Sequence, residues 1–442
     1  MLFNSVVFLS FFLPFFIISK VAINFFKLRL FIAIFVVIFF SIIFYAYWEK
    51  YQVIFLLFSI IFNFSLAKLI LINYKNKKIY FIAGVAINIL FLFYFKYTNF
   101  LFDNISALTS INLPSLNIIL PLAISFYTFQ QISYLYDIYN RKFIKVSFLN
   151  YFLYVSFFPQ LIAGPIVNFS EFNYQVKKIK RFNFKFFQLG FFLFTFGLLK
   201  KLLIADYFGI HVDDFYNNIN DEIQKVNAHI IFFYYTFQIY FDFSAYSDMA
   251  IGIALMCNIR LPINFFSPLR CTNISDFWKS WHITLSRFIE KFLFNPSMSF
   301  FIKKFKNSSF IFSNSIFLFP LLYAFGLSGL WHGSNWNFII WGLLHAFYLF
   351  IYIYIKDFKF VIPKIFKQFF LLIIVSFAFI FFRSPDLNTS FKFIIMLFNS
   401  FTFYENTIFH ITIFFFISLF CFYSKNLYEI IKYRNPQEVF EK

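Results

Sequence analysis

Two histidines stand in contexts that suit acid–base chemistry. His332 lies in Gly329-Leu-Trp331-His332-Gly333-Ser334-Asn335-Trp336, between two apolar runs. His282 lies in Asp276-Phe-Trp278-Lys-Ser-Trp281-His282-Ile-Thr-Leu-Ser286-Arg287. An imidazole changes charge near neutrality and so fits general acid or general base work. Gly329 and Gly333 would let the backbone turn tightly and come close to a ligand. A histidine in such a place also serves as a hydrogen-bonded structural residue, and Trp278, Trp281, Trp331 and Trp336 suit anchoring at a membrane surface. Residue chemistry alone leaves both readings open. His211 is expected to be solvated in an acidic loop, His229 and His410 to sit near the ends of apolar runs, and His345 to be a packing residue inside one. Cys257, Cys271 and Cys421 are far apart and form no paired motif, so no metal site and no disulfide framework are expected. No phosphate-binding glycine loop, metalloprotease helix motif or Ser-His-Asp order appears either.

Two polar stripes cross otherwise apolar sequence. Tyr127, Gln130, Gln131, Tyr134 and Asp137 recur at steps of three and four, and Tyr234, Gln238, Asp242 and Tyr246 recur at steps of four. Each set shares one face of a helix. Polar side chains in a membrane are expensive and therefore informative. A stripe can hold helices together by hydrogen bonds; two stripes together point to a water-filled cavity.

The elements that must position these residues follow from composition. Of 442 residues, 61% are hydrophobic and 13% charged, and the mean hydropathy is +0.75. Soluble domains are about 25% charged, so a soluble enzyme, a disordered chain and a nucleic-acid module are excluded. The net charge of +19 reads as basic cytoplasmic loops of a membrane protein. Phe is present 85 times and Gly 10 times; aromatic rings rather than glycine contacts are expected to fill the helix interfaces. Phe, Ile, Asn and Lys have AT-rich codons, which suits an AT-rich bacterial genome.

Eleven apolar runs are long enough to cross a bilayer, near 2–19, 30–48, 52–73, 79–95, 117–136, 184–205, 228–256, 309–330, 337–355, 368–382 and 405–423. Another, near 148–167, holds Pro159, Gly164 and Pro165 and reads as a re-entrant or broken segment. The first run has no basic leader or small-residue cleavage site, so it reads as a retained helix. Basic clusters after runs one, three, five, seven and nine, and after the broken segment, all fall on one side if that segment returns to the side it left; they include Lys27 and Arg29, Lys77 and Lys78, Arg141 and Lys142, Lys359 and Lys364. The opposite side receives 97–116 and the acidic 206–227, with Asp206, Asp213, Asp214, Asp221 and Glu222. The expected N-terminus is therefore periplasmic and the C-terminus cytoplasmic. Lys200 and Lys201 fit least well and are expected to snorkel to the interface. The stretch 257–308 is expected to form short amphipathic helices at the cytoplasmic surface. The fold class is an all-α polytopic membrane protein forming one integral-membrane domain: peripheral helices over 1–115, a core over 117–355, and helices with a cytoplasmic tail over 368–442.

Five blocks resemble the membrane-bound O-acyltransferases, nearest to the bacterial branch that acylates cell-surface polymers. They are Ser125–Tyr134, Phe158–Ile166, Tyr240–Ala250, Asp276–Ser286 and Ser328–Trp336, in the family's order. The last two together are highly specific, and the step from His282 to His332 (332 − 282 = 50 residues) fits. After Ser286 the chain reads Arg287-Phe-Ile-Glu-Lys-Phe-Leu-Phe-Asn-Pro296 and lacks the Gly pair of many polymer-acylating members.

The resemblance implies a ring of tilted helices around a thin floor pierced by a central tunnel. It implies His332 as general base toward an acceptor hydroxyl and His282 as a second, supporting histidine near the cytoplasmic mouth. It implies donor contacts from Trp278, Trp281, Ser286 and Arg287, and tunnel contacts from Gln130, Gln131, Tyr134, Gln238, Asp242, Tyr246, Asn335 and Trp336, the last two as candidate oxyanion donors. No bound cofactor is implied; the acyl donor would be acetyl-CoA from the cytoplasm. The lipid bilayer, a separate periplasmic O-acetyltransferase and a cell-wall polysaccharide are the implied partners, with the chain in the bacterial inner membrane and no nucleic acid involved. Peptidoglycan is the first expected acceptor, alginate or another exopolysaccharide the second, and D-alanyl transfer to teichoic acid the third. A transporter using the two polar stripes, or a non-enzymatic scaffold, are the readings of other classes.

Overall fold

The computed structural model describes residues 1–109, 111–143, 145–220, 226–305, 314–358, 361–399, 403–404, 406–433 and 435. Asp221, Glu222, Lys359, the start of the run at 309–330 and residue 405 lie outside them. Every regular element among the described residues is helical. The helices are α1 (Leu13–Phe25), α2 (Leu30–Ala46), α3 (Val53–Ile72), α4 (Lys77–Thr109), α5 (Ile124–Tyr139), α6 (Phe148–Ser156), α7 (Phe158–Leu161), α8 (Phe169–Asn173), α9 (Phe184–Leu199), α10 (Asp206–Asn217), α11 (Ala228–Met256), α12 (Ile274–Ser280), α13 (Ile283–Ile289), α14 (Asn295–Lys304), α15 (Leu318–His332), α16 (Trp336–Ile355), α17 (Lys364–Arg383), α18 (Leu387–Phe398), α19 (Thr407–Tyr423) and α20 (Leu427–Ile430).

Six helical stretches among the described residues are long and apolar enough to cross a membrane: Phe8–Phe25, Lys50–Ile72, Lys77–Thr109, Phe184–Asn217, Trp336–Ile355 and Lys364–Arg383. Shorter apolar helices are Leu30–Ala46, Leu387–Phe398 and Thr407–Tyr423. Their outward faces are hydrocarbon: Phe15, Phe35, Phe370 and Phe416 are all more than half exposed. A chain that turns phenylalanine outward while burying Gln and Asn is built for an apolar solvent.

The helices form two compact units. The first comprises Met1–Leu198, Ala245–Ile263 and Arg434–Lys442, the second Leu199–Ser244 and Asn264–Tyr433. In the first unit the aromatic filling expected from composition is present. The Phe158 ring meets Phe12 at 5.2 Å and Phe16 at 5.1 Å, and Phe3 stacks on Tyr246 at 4.8 Å. One buried polar pair joins two helices: Asn63 of α3 and Asn88 of α4 exchange amide hydrogen bonds of 3.1 and 2.7 Å. Pro159 breaks the chain as its ring requires. Helix α6 ends at Ser156, Phe157 takes an extended ψ of 105°, and the short α7 follows. Glycines are few but stand where backbones cross: a Cβ on Gly190 would lie 2.4 Å from the Gly252 carbonyl oxygen.

Helix α4 continues to Thr109 and so takes in much of 97–116. Two local expectations are corrected. The acidic stretch from 206 is helical as α10, since Phe208, Val212 and Phe215 recur on one face and are buried. His211, on that helix, is therefore only partly solvated, with its ring 4.8 Å from that of His410.

Within each unit, hydrogen bonds gather the connecting segments into two sets. In the second unit, Arg383 reaches Asp213 at 2.7 Å, Lys392 reaches Asn220 at 2.9 Å, and Asn335 reaches the Pro385 carbonyl at 2.8 Å. Arg270, by contrast, meets Glu429, and Gln368 meets the Arg270 carbonyl. The first set joins the segments the charge pattern puts on one side, the second those it puts on the other.

Candidate active site

The site is assembled in the second unit from two helical hairpins. The first is α12–α13. Asn273 caps α12 by accepting from the Asp276 amide at 2.9 Å. Trp281 and His282 then break the helix, and His282 takes a left-handed backbone with φ 41° and ψ 52°. That conformation is unusual for a residue with a Cβ, and the surroundings fix it. The Ile283 amide donates to the Asn264 carbonyl at 2.9 Å, and the Thr284 hydroxyl donates to the Asn264 side-chain oxygen at 2.9 Å. The Phe266 amide donates to the Ser280 carbonyl at 2.9 Å. The break therefore places His282 at one buried position. Both short helices turn apolar side chains into the protein: Phe277, Trp278, Trp281 and Leu285 are buried.

The second hairpin is α15–α16. His332 is the last residue of α15, and Asn335 starts α16 by accepting from the Asn337 amide at 3.1 Å. The two backbones come so close that a Cβ on Gly329 would lie 2.1 Å from the Phe338 carbonyl oxygen, and one on Gly342 2.1 Å from that of Phe325. The Asn337 side chain donates to the Ser384 carbonyl at 2.9 Å and so ties the hairpin to the end of α17.

Between these parts lies a small cleft lined by both histidines, with Trp278, Trp281, Phe265, Leu285, Ile239, Phe243, Trp341, Phe379 and Phe382. The His332 ring is packed edge to face at 4.7 Å from Trp331, 5.0 Å from Trp341 and 5.0 Å from Phe382. Apart from the two imidazoles and the indole N–H groups, the wall is hydrocarbon. Such a wall excludes bulk water and strengthens any hydrogen bond made inside it.

His282 lies outside the membrane-crossing helices, and burial pushes its imidazole down to about 4. It is therefore neutral at pH 7. The ordinary histidine value is about 6.5, so on acidification the unfolded chain takes up a proton that the folded chain refuses. Stability supplied by the neutral ring is complete above about pH 6.5 and is lost as pH falls toward 4, on the order of 3 kcal/mol over the whole range. The unfolding temperature of the detergent-solubilised protein is expected to fall between pH 7 and pH 5. Replacing His282 with Asn, which tolerates the left-handed backbone, is expected to flatten that fall. An unchanged slope would show that His282 is not the group responsible.

The remaining sequence-chosen residues are distributed as follows. Ser286 bonds back to the Trp281 carbonyl at 3.2 Å and, like Arg287, is not among the cleft-lining residues. Trp336 is half exposed. Gln238 packs on Gly209, where an added Cβ would stand 3.1 Å from its amide nitrogen. Asp242 does not stand alone on its stripe: Lys201 bridges it and Asp206 at 2.8 Å each. Lys201 thus has two carboxylate partners. In the first unit, Gln130 is buried, Gln131 donates to Ser59 at 3.1 Å and accepts from Tyr151, and Tyr134 stacks on Tyr151 at 4.1 Å. Helix-to-helix hydrogen bonding describes Gln131 well. Trp341, Phe379 and Phe382 were missed by sequence reasoning, because apolar residues inside apolar runs carry no distinguishing signal. Among the described residues no group of three or more His, Cys, Asp or Glu is arranged to hold a metal.

Residues 39–383 match the model of the MBOAT, membrane-bound O-acyltransferase family. A peptidoglycan O-acetyltransferase of Helicobacter pylori is 40% identical over 379 residues, covering 78% of this chain and 68% of that protein. A probable alginate O-acetylase AlgI of Pseudomonas aeruginosa is 33% identical over 314 residues, covering 68% of this chain and 57% of that protein. A teichoic acid D-alanyltransferase of Bacillus subtilis is 28% identical over 240 residues, covering 52% of this chain and 58% of that protein.

Proposed function

The chain belongs to the membrane-bound O-acyltransferase family, and from that premise we propose that it moves acetyl groups from cytoplasmic acetyl-CoA across the inner membrane for O-acetylation of peptidoglycan. The observation that carries the reading is the meeting of His282 and His332 on one apolar cleft. The two come from segments that the charge pattern assigns to opposite faces of the membrane. A shared cleft between them supports a tunnel through a thin floor, within a bundle of eleven crossings.

His332 takes the proton of an acceptor hydroxyl; the oxygen attacks the thioester carbonyl, the C–S bond breaks, and the thiolate leaves with the proton returned from His332. The neutral His282 ring supports the donor end by hydrogen bonding. Asn335, held at the Pro385 carbonyl, keeps the His332 turn in place. A separate periplasmic transferase then passes the acetyl group to the muramic acid sugar. Of the relatives named above, the one that spans most of this chain is named for peptidoglycan, which supports that acceptor over alginate. A transporter or scaffold reading gains nothing from an apolar cleft holding two histidines.

The sidedness has a direct test. Radiolabelled acetyl-CoA is added to inside-out or to right-side-out membrane vesicles containing the protein. Base-labile acetyl esters are expected only in inside-out vesicles, where the cytoplasmic face meets the donor. Equal labelling of both would overturn the cytoplasmic donor site.

A further inference from the structure

We propose that His345 determines donor specificity: together with the indole N–H groups of Trp278 and Trp341 it forms a polar subsite behind the cleft that takes an amide of the acyl donor. The inference rests on the acyl-transfer reading above. His345 lies on α16 and is fully buried, and neither of its ring nitrogens has a hydrogen-bond partner among the described residues. Its ring stands edge to face 5.0 Å from Trp278 and 5.0 Å from Trp341, with Phe277 at 6.4 Å and Phe379 at 6.3 Å. Trp278, Trp341 and Phe379 all line the cleft, so His345 is one ring away from it. Trp341 touches both histidines, with its ring 5.0 Å from that of His332 and 5.0 Å from that of His345.

The Nε1–H groups of Trp278 and Trp341 also have no partner among the described residues. Buried polar groups left unpaired are destabilising, and a native structure retains them for a reason. A packing role at position 345 would be met by Phe without that loss. The set offers three N–H donors and one imidazole acceptor, counting a neutral ring as one of each. Acceptor-only anions leave the imidazole acceptor idle; a hydroxyl offers one O–H and two lone pairs from a single atom, whereas an amide spreads the same set over two atoms and so reaches groups on different rings. An amide supplies a carbonyl with two lone pairs and an N–H. The arm that joins a thioester to its nucleotide in acetyl-CoA contains amides. No hydrogen bond anchors either indole, so a turn of one ring opens the subsite to the cleft.

The test compares wild type, His345→Phe and His345→Gln in detergent, with acetyl-CoA as the probe. Three quantities are read: unfolding temperature alone, the rise in it on adding acetyl-CoA, and KM and kcat for transfer. The expected result is that His345→Phe unfolds at the wild-type temperature or higher, yet loses most of the acetyl-CoA-induced rise and shows KM at least tenfold higher, with kcat within about threefold. His345→Gln, which keeps a donor and an acceptor, should recover most of the KM. Wild-type KM in His345→Phe, or an equal induced rise, would overturn the subsite, as would failure of His345→Gln to improve on Phe. If wild type binds acetyl-CoA but transfers nothing, the acyl-transfer reading falls while the binding comparison still decides the subsite.

Discussion

Replacing His332 with Ala is expected to lower acyl transfer by about 10²–10⁴-fold, the range supplied by a positioned general base, without loss of protein from the membrane. The ring sits at the end of α15 among Trp331, Trp341 and Phe382, and the backbone around it is held by other residues. Asn335 caps α16, Asn337 is tied to Ser384, and Gly329 sets the hairpin spacing. Truncating the imidazole therefore removes the base and leaves the frame. His332→Gln should be as inactive as Ala, because it keeps a hydrogen-bonding side chain but cannot take the proton. Transfer is measured as base-labile acetate formed per membrane-inserted protein. A His332→Gln variant with more than a tenth of wild-type transfer would show that positioning, not proton removal, is the task of this residue.

The second large effect is structural. Gly342→Val is expected to destabilise the protein by about 3 kcal/mol or more, at the upper end of what overpacking does, and to prevent stable accumulation. The added Cβ would stand 2.1 Å from the Phe325 carbonyl oxygen, a backbone atom with no side-chain freedom to escape. Helices α15 and α16 would have to separate, carrying His332 and Trp341 apart. Gly326→Ala is the matched control, because its Cβ would meet only a Leu343 methyl at 3.5 Å. Fluorescence-detected size exclusion of both variants separates the cases: a monodisperse Gly342→Val peak at wild-type yield would contradict the close crossing.

Much of the site was legible because it is polar in an apolar chain. His282 and His332 stood out by context 50 positions apart, and the fold puts both on one cleft. The steps of three and four from Tyr127 to Asp137 do fall within one helix, α5. What stayed hidden had no such contrast. Trp341, Phe379 and Phe382 line the cleft from within apolar runs, where periodicity gives no face. His345 read as packing because one histidine in a helix says nothing about the indole that α12 brings to it beside Trp341 of its own helix. Lys201 was assigned by length and charge to the interface; its partners Asp206 and Asp242 come from beyond its own segment and from α11. The run from 206 was assigned by its acidity to a loop, although its buried Phe208, Val212 and Phe215 gave the helical spacing all along.

The measurement that tests the central claim most directly is ester-bound acetate released by mild base from purified cell-wall sacculi. Cells with the wild-type chain, cells lacking it, and cells with His332→Ala at normal abundance are compared. The account predicts that acetate falls to the same low level in both mutants. Sacculus acetate unchanged in the deletion would contradict peptidoglycan as the acceptor, and acetate lost in the deletion but retained with His332→Ala would contradict His332 as the catalytic base.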